Sequence, residues 1–197
     1  MTLDPVTGRH LLTPIDEEIP RRTDRLRELG LEDHPDREFD AFAAELAQTA
    51  AELAKTAGTP YAMVNLITNR QYFAGLYTPS GAQADSSDPL GVEAGGVGRV
   101  MARDHGYCPH VVVRRRALVL DDVCDYPRFA GNAVVDEIGI RTYMGAPLID
   151  RRTGTALGTV CVVDTEPRPW GREGLEFIKE RAERMMQLIY RRAEYLE

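Results

Sequence analysis

Along this chain the apolar residues change from helical spacing to strand spacing and back to helical spacing. From residue 40 to residue 57 they recur every three or four positions, and Gly58 and Pro60 end the pattern. That spacing predicts an amphipathic helix whose apolar stripe packs against another element. A shorter helix is predicted over 24–31. The prolines before it predict an extended arm over residues 1–24.

The middle of the chain predicts short strands that pair as hairpins. The predicted strands are residues 61–67, 71–76, 118–120, 141–149 and 155–164. Tight turns join the first two strands and the last two. Strands joined in this way must be antiparallel, because parallel neighbours need a long crossover. Asn132 is predicted to cap a short helix before the last hairpin. The glycine-rich residues 79–98 are predicted to form a long loop.

A final helix is predicted after residue 169, and its apolar residues keep a near-heptad spacing that is typical of paired helices. These residues are Leu175, Ile178, Ala182, Met185, Ile189 and Leu196. One hypothesis is therefore a homodimer through the terminal helices. If the stripe is the dimer seam, charged substitutions at Met185 and Ile189 abolish pairing.

These elements predict an α+β fold, an α/β/α sandwich with a central antiparallel sheet. The packed N- and C-terminal helices cover one face of the sheet. The opposite face is left to the long loop and the short helix, where a small-molecule cavity would form. The domain is predicted to span residues 25–197, after the arm of residues 1–24.

Composition narrows the class of protein. The 197 residues are 43% hydrophobic and 28% charged, which is typical of a globular protein and not of a disordered chain. The net charge of −7 argues against nucleic acid as a partner, and the arginine runs at 114–116 and 151–152 are interpreted as solvated turn edges. No apolar run could span a membrane and no secretory signal is present, so the predicted location is cytoplasmic.

The spacing of the three cysteines matches no known metal site or disulfide framework. No Cys-x-x-Cys pair predicts a structural zinc, and His105, Cys108, His110 and Asp121 match no standard set of metal ligands. Pro109 is expected to hold the chain extended, so Cys108 and His110 are first interpreted as unrelated loop residues. Mid-strand Cys161 is interpreted as a small buried hydrophobe. Cys124 follows two aspartates, whose negative charge is expected to make its thiol less reactive.

Ten short segments over residues 25–197 form a recognisable series. They are RLRELGL (25–31), FD (39–40), AMVNLI (62–67), QYF (71–73), YCPH (107–110), DD (121–122), PRFAGN (127–132), GIRTYMGAPL (139–148), LGTVCVVD (157–164) and PR (167–168). In this order and spacing they resemble the GAF domains found in front of bacterial histidine kinases and diguanylate cyclases.

The resemblance implies a sensory fold with terminal helices that often pair in a dimer and a ligand pocket on the other face of the sheet. It places six side chains around that pocket. The candidate ligand-binding residues are Tyr107, Cys108, His110, Arg128, Phe129 and Tyr143. No cofactor and no metal are assigned, and no kinase, cyclase or DNA-binding domain is recognised in the chain.

Known specialisations of this family guide the choice of function. The segment 132–137 lacks the Cys-His pair that binds bilin, and the Asn-Lys-Phe-Asp signature of cyclic-nucleotide phosphodiesterases is missing. Free methionine sulfoxide reductases are GAF enzymes with clustered cysteines. Such an enzyme would use Cys108 as the nucleophile here, with Cys124 or Cys161 as the candidate second thiol.

Three hypotheses remain open. The main one is a non-enzymatic sensor that binds a small molecule or a signalling partner as a dimer and passes its signal to a separate protein. The alternative is a redox switch, or an enzyme similar to free methionine sulfoxide reductases, that uses Cys108. The third is a dimerisation scaffold that docks a regulator.

Overall fold

The computed structural model describes residues 13–79 and 98–194, and these residues form a single six-stranded sheet with helices on both faces. The helices are α1 (Ile19–Glu28), α2 (Arg37–Ala54), α3 (Cys108–Arg114), α4 (Pro127–Ala130), α5 (Ala133–Ile138) and α6 (Gly171–Glu194). The strands are β1 (Tyr61–Ile67), β2 (Arg70–Tyr77), β3 (Val100–Ala102), β4 (Leu118–Leu120), β5 (Thr142–Ile149) and β6 (Ala156–Asp164). A 3-10 turn covers Val123–Asp125.

Every pairing in the sheet is antiparallel, and the strand order is β3-β2-β1-β6-β5-β4. The first hairpin turns between Ile67 and Gln71, and the second joins β5 to β6. The strands β1 and β6 lie at the centre and pair with each other, so their side chains are buried on both faces. The predicted central antiparallel sheet and the α+β class are confirmed.

One face of the sheet is covered by α2 and α6. Alanines on α2 (Ala43, Ala47 and Ala50) are fully buried there, and their small side chains let the helix lie close to β1 and β2. The helix begins cleanly because the Asp36 carboxylate accepts hydrogen bonds from the backbone N–H groups of Glu38 and Phe39.

Four residues of the predicted stripe on α6, Ile178, Ala182, Met185 and Ile189, belong to this same core, and Leu196 lies outside the described residues. Met185 and Ile189 are fully buried against the chain's own sheet. Charged substitutions there would disrupt the core and would not report on pairing, so that test of the seam is unsuitable. The homodimer itself stays a prediction.

Among the helices of residues 13–79 and 98–194, none combines the length and the apolar character that crossing a membrane requires.

The N-terminal helix starts earlier than its predicted bounds of 24–31. Helix α1 covers Ile19–Glu28, so the extended arm is wrong for residues 19–24. The reason is that Pro20 lies in the first helical turn, where no backbone donor is lost and its fixed φ suits the helix. Residues 1–12 of the predicted arm, and residues 80–97 of the predicted long loop, lie outside the described residues.

A buried carboxylate ties both terminal helices to the β5–β6 hairpin. Asp150 is fully buried and accepts hydrogen bonds from Arg25 Nε of α1 (2.7 Å), Thr153 Oγ1 (2.6 Å) and the Tyr190 hydroxyl of α6 (2.9 Å). Burial alone would raise the pKa of Asp150, but these hydrogen bonds outweigh it and lower that pKa from 3.8 to about 2. The ionised form therefore stabilises the fold.

This carboxylate predicts a loss of stability in acid. Since the pKa of Asp150 is lower in the folded state than in the unfolded state, its contribution is present above pH 4 and is lost as the pH falls towards 2. A shift of this size corresponds to about 2 kcal/mol of unfolding free energy. Urea unfolding at pH 5 and pH 2.5 should show that the free energy of unfolding falls less for Asp150→Asn than for the wild type. For the surface variant Asp24→Asn this free energy should fall by as much as for the wild type.

Candidate functional site

The second face of the sheet is covered by α3, α4 and α5 and carries its own apolar cluster. The cluster contains Met63, Ile67, Phe73, Leu76, Tyr107, Cys108, Val111, Val112, Leu120, Val123, Phe129, Val134, Ile140, Tyr143, Ala156, Cys161 and Val163. All six candidate residues predicted from the sequence lie on this side of the sheet or at its cover. The face is therefore the same one on which a pocket was predicted.

The segment around Cys108 is helical, which corrects the expected extended loop. Helix α3 begins at Cys108, and Pro109 lies in its first turn, where proline is favoured. Both Cys108 and His110 are buried, so neither is an exposed loop residue. The short helix packs on β5 and β6 and thereby brings Cys108 to the middle of the sheet.

Four of the six candidate residues form an aromatic cluster. The Tyr107 ring meets Phe129 edge-on, with 5.6 Å between ring centroids, and contacts Tyr143 at 5.3 Å. His110 meets the other side of Phe129 at 5.3 Å. The guanidinium of Arg128 lies 5.8 Å from the Phe129 centroid. Such edge-on pairs each contribute about 1 kcal/mol beyond their buried area, so the cluster fixes α3 and α4 relative to β5.

A cavity of about 40 Å³ lies between the sheet and this cover. Tyr107, Cys108 and Tyr143 line it, whereas His110, Arg128 and Phe129 lie outside its wall. The rest of the lining is mostly apolar and comes from β1, β2, β3, β6, α5 and the residues just after α5. The structure therefore places three of the six candidate residues at the cavity and three behind them.

The floor of the cavity contains two thiols in contact. The sulfurs of Cys108 and Cys161 are 3.5 Å apart, and both residues are buried and free. The Cys161 sulfur also lies 3.8 Å from the sulfur of Met63. Cys124 is exposed and does not line this cavity. Cys161 is thus buried, as its strand position predicted, but it is also a partner of Cys108, which its position in the sequence could not indicate.

The two thiols have different pKa values. Interaction with Cys161, and further with the nearby Thr159, Tyr143 and Asn65, outweighs burial and lowers the pKa of Cys108 from 9.0 to about 6. Interaction with Cys108, together with burial, raises the pKa of Cys161. Cys108 is therefore the thiol that ionises first.

Tyr143 reaches Cys108 because of a glycine two residues later. Its hydroxyl donates to the Cys108 sulfur at 3.4 Å. A Cβ added at Gly145 would lie 2.6 Å from Cζ of Tyr143, so any side chain there would displace the ring. Burial raises the pKa of Tyr143, which keeps its hydroxyl protonated as a donor.

Sequence reasoning missed a group of buried polar residues beside the thiols. Asn65 on β1 and Thr159 on β6 are paired in register, and both are fully buried. Asn65 Nδ2 donates to Gln71 Oε1 at 2.8 Å. Asn65 Oδ1 and Thr159 Oγ1 have no hydrogen-bond partner within the described residues. Polar residues at inward positions of two central strands were the signal that could have found them.

His110 is a buried, neutral side chain. Burial, and then the charges of Arg128 and Arg114, lower its pKa from 6.5 to about 4. Its Nδ1 has no hydrogen-bond partner among the described residues. His110 lies two residues after Cys108 in α3, and its ring packs edge-on against Phe129.

The wall of the cavity is held by Asn132. Its side chain accepts from the backbone N–H of Gly106 and donates to the carbonyl of Gly106, each at 2.9 Å. It also caps α5, as predicted, by accepting from the N–H of Val134.

Within residues 13–79 and 98–194, no group of three or more His, Cys, Asp or Glu side chains is arranged to hold a metal ion.

Comparisons with solved structures give relatives of low identity. The free methionine-R-sulfoxide reductase of Neisseria meningitidis is 14% identical, with a TM-score of 0.52 over 95% of this chain and 99% of that one. The GAF domain of an Acinetobacter phosphoenolpyruvate-protein phosphotransferase is 14% identical, with a TM-score of 0.51 over 90% and 95%. A type II free methionine-R-sulfoxide reductase of Thermoplasma acidophilum is 11% identical, with a TM-score of 0.51 over 78% and 95%. At these identities the likeness concerns the fold alone.

No curated protein matches the sequence. The model of the GAF domain family matches residues 42–189, which is most of the chain and includes the sheet, the cavity and most of α6. Two features of the structure agree with that match. The antiparallel sheet is buried on both faces, and the cavity lies on the face away from α2 and α6. This chain belongs to the GAF domain family.

Proposed function

We propose that this chain is a sensory GAF domain that receives its signal in the cavity beside Cys108 and Tyr143. The observation that supports this is the cavity itself, which lies under short helices on the face away from α2 and α6. Protein cores are ordinarily packed without gaps of this size, so the space suits a bound molecule. Apolar walls and a few polar atoms are typical of ligand sites.

The size of the cavity limits the ligand. Pockets that hold drug-sized ligands measure about 300–1,000 Å³. A cavity of about 40 Å³ accepts a molecule only somewhat larger than water. The ligand proposed here is therefore a small, largely apolar species of a few non-hydrogen atoms.

Xenon is the probe for this site, because it enters dry apolar cavities. In amide NMR spectra recorded under xenon pressure, residues of the cavity wall should shift, Tyr107 and Cys108 among them. The variant Val134→Phe places a ring in the cavity and should abolish these shifts. The control is Val135→Phe, because Val135 is the next residue of α5 and does not line the cavity.

Two results would contradict the ligand proposal. One is an unchanged wild-type spectrum under xenon, which would mean that the cavity admits no guest. The other is a set of shifts that Val134→Phe leaves in place. Native mass spectrometry of protein from unsupplemented cells then tests for a retained natural ligand, and a stabilising ligand should also raise the melting temperature.

A cysteine-based redox switch, or an enzyme similar to free methionine sulfoxide reductases, is the second candidate. It is favoured by the 3.5 Å contact between the sulfurs of Cys108 and Cys161, since thiol chemistry of this kind needs a nucleophile and a resolving thiol in contact. The reductase form is disfavoured by the size of the cavity, because free methionine sulfoxide is much larger. We expect no turnover of free methionine-R-sulfoxide above that of Cys108→Ser, and turnover that Cys108→Ser abolishes would establish the enzyme.

The proposed partners are a second copy of this chain through the terminal helices, or another signalling protein. Sedimentation velocity across a range of protein concentrations measures whether the chain dimerises.

A further inference from the structure

The thiol pair joins two elements that are distant in the sequence. Cys108 opens α3, Cys161 lies in the middle of β6, and 53 positions separate them. Their sulfurs are 3.5 Å apart, which is about 1.5 Å longer than a disulfide bond. Cys108 lies at the start of a short helix rather than within a strand, so a small movement of α3 towards the sheet would close that gap.

The surroundings assign different roles to the two sulfurs. Cys108 faces two groups that can donate a hydrogen bond to a thiolate, the Tyr143 hydroxyl at 3.4 Å and the Cys161 thiol. The Thr159 hydroxyl nearby lowers the pKa of Cys108 and has no hydrogen-bond partner among the described residues. Cys161 is less exposed than Cys108, and its sulfur also lies 3.8 Å from the thioether sulfur of Met63. Cys108 is thus the nucleophile and Cys161 the resolving thiol.

The cavity selects the oxidant by size. Both cysteines line it, and its volume of about 40 Å³ admits a molecule of two oxygen atoms but excludes bulky disulfides such as oxidised glutathione. No charged side chain lines it among the described residues. A small neutral oxidant therefore enters more easily than an anionic one.

We propose that Cys108 and Cys161 form an oxidation site for hydrogen peroxide and close a reversible disulfide between α3 and β6. The Cys108 thiolate attacks one peroxide oxygen, the O–O bond breaks, and hydroxide leaves and takes a proton to become water. Cys108 is then a sulfenic acid. The Cys161 sulfur attacks the Cys108 sulfur, the S–O bond breaks, and a second water leaves with the Cys161 proton. The two thiols lose two electrons in total, and peroxide is reduced to two waters.

The disulfide would fix α3 on the centre of the sheet and close the cavity floor. This oxidation proposal rests on the proposed sensory function only for its biological role, since the chemistry needs no bound ligand. The two proposals therefore fail separately: xenon tests the cavity as a binding site, and oxidation tests the sulfurs.

The experiment uses the full chain, reduced and then freed of reductant. After treatment with hydrogen peroxide, intact mass and peptide mapping without reductant should show loss of two hydrogens and one cross-linked pair of peptides that contain Cys108 and Cys161. Dithiothreitol should reverse the change. The matched control is Cys124→Ser, which also removes one thiol and should form the same disulfide.

Single variants separate the two sulfurs. Cys161→Ser should accumulate a Cys108 sulfenic acid that dimedone traps, whereas Cys108→Ser should give neither the disulfide nor dimedone labelling at Cys161. Cross-links through Cys124, labelling of Cys161 instead of Cys108, or a wild-type chain whose Cys108 and Cys161 stay reduced while Cys124 oxidises would each overturn the proposal. The wild-type mapping needs no variant, so it decides the question even if a serine variant does not fold.

Tyr143 is assigned as the positioning residue for Cys108. Tyr143→Phe keeps the ring but removes the donor, so Cys108 should react about tenfold more slowly at pH 7, and its rate profile should shift to higher pH. Tyr77→Phe is the control, because the Tyr77 hydroxyl pairs with the Thr59 hydroxyl at 3.1 Å and Tyr77 does not line the cavity. Identical pH profiles for Tyr143→Phe and the wild type would remove Tyr143 from this role.

Discussion

Replacing Gly158 with alanine should lower the free energy of unfolding by about 3 kcal/mol. Gly158 lies on central strand β6, opposite Leu66 of β1. A Cβ there would lie 2.9 Å from the carbonyl carbon of Asn65, closer still to its oxygen, and 3.0 Å from Cα of Leu66. These are backbone atoms of the neighbouring strand, so no side-chain rotation relieves the clash. Because overpacking costs about 3 kcal/mol when the surroundings cannot relax, the loss is a large part of a typical total stability of about 5–15 kcal/mol.

Urea unfolding and the yield of soluble protein measure this effect. Gly58→Ala is the matched control, since a Cβ there meets nothing within 4 Å. Its φ of +74° is the left-handed region that favours glycine, so we expect a cost of about 1 kcal/mol. If Gly158→Ala were no less stable than Gly58→Ala, the close approach of β1 and β6 at this position would be wrong.

Replacing Arg168 with methionine should cost about 3–5 kcal/mol of unfolding free energy. The Arg168 side chain is buried and donates to the Asp164 carboxylate at 2.7 Å, to the Gly58 carbonyl at 3.0 Å, and to the Thr56 hydroxyl. It therefore joins the end of β6 to the connection between α2 and β1. Methionine keeps the length but leaves the Asp164 carboxylate buried without its cation, and that uncompensated charge is the main cost.

Arg172→Met is the control, because Arg172 is exposed on the first turn of α6 and makes no ion pair within the described residues. Its unfolding free energy should change by less than about 0.5 kcal/mol. Adding Asp164→Asn to Arg168→Met should recover part of the loss, since the second change removes the unpaired charge. A double variant no more stable than Arg168→Met would show that lost packing, and not the buried carboxylate, causes the effect.

Local pattern predicted five of the six strands and the long helices to within a few residues, whereas the three-residue strand β3 was not predicted. The strand over 61–67 and its hairpin partner were predicted from a mostly apolar run and a turn, and α2 covers Arg37–Ala54 where a helix over 40–57 was expected. These elements could be predicted because their burial follows from spacing along one short segment. Helix α3 was not predicted, because seven residues are too few for a periodic pattern and Pro109 suggested a break instead.

The candidate site was predicted less completely. The motif YCPH and the family resemblance directed attention to Tyr107, Cys108 and Tyr143, which line the cavity. Nothing local indicated that Cys161 would be the partner of Cys108 or that Asn65 and Thr159 would lie beside them. Their neighbourhood depends on the pairing of β1 with β6 and on the docking of α3, which no local segment encodes.

The amino-acid sequence alone determined the class of this protein: an antiparallel sheet with amphipathic helices, arranged in the order of a GAF domain. Hydrophobic spacing is a property of a short segment, and burial of the apolar residues of that segment lowers the free energy wherever the segment packs. Tertiary structure alone decided which side chains meet. The 3.5 Å contact of two sulfurs, the lowered pKa of Cys108 and the cavity of about 40 Å³ all arise where α3 meets β6, since distances and local dielectric exist only after the elements have packed together.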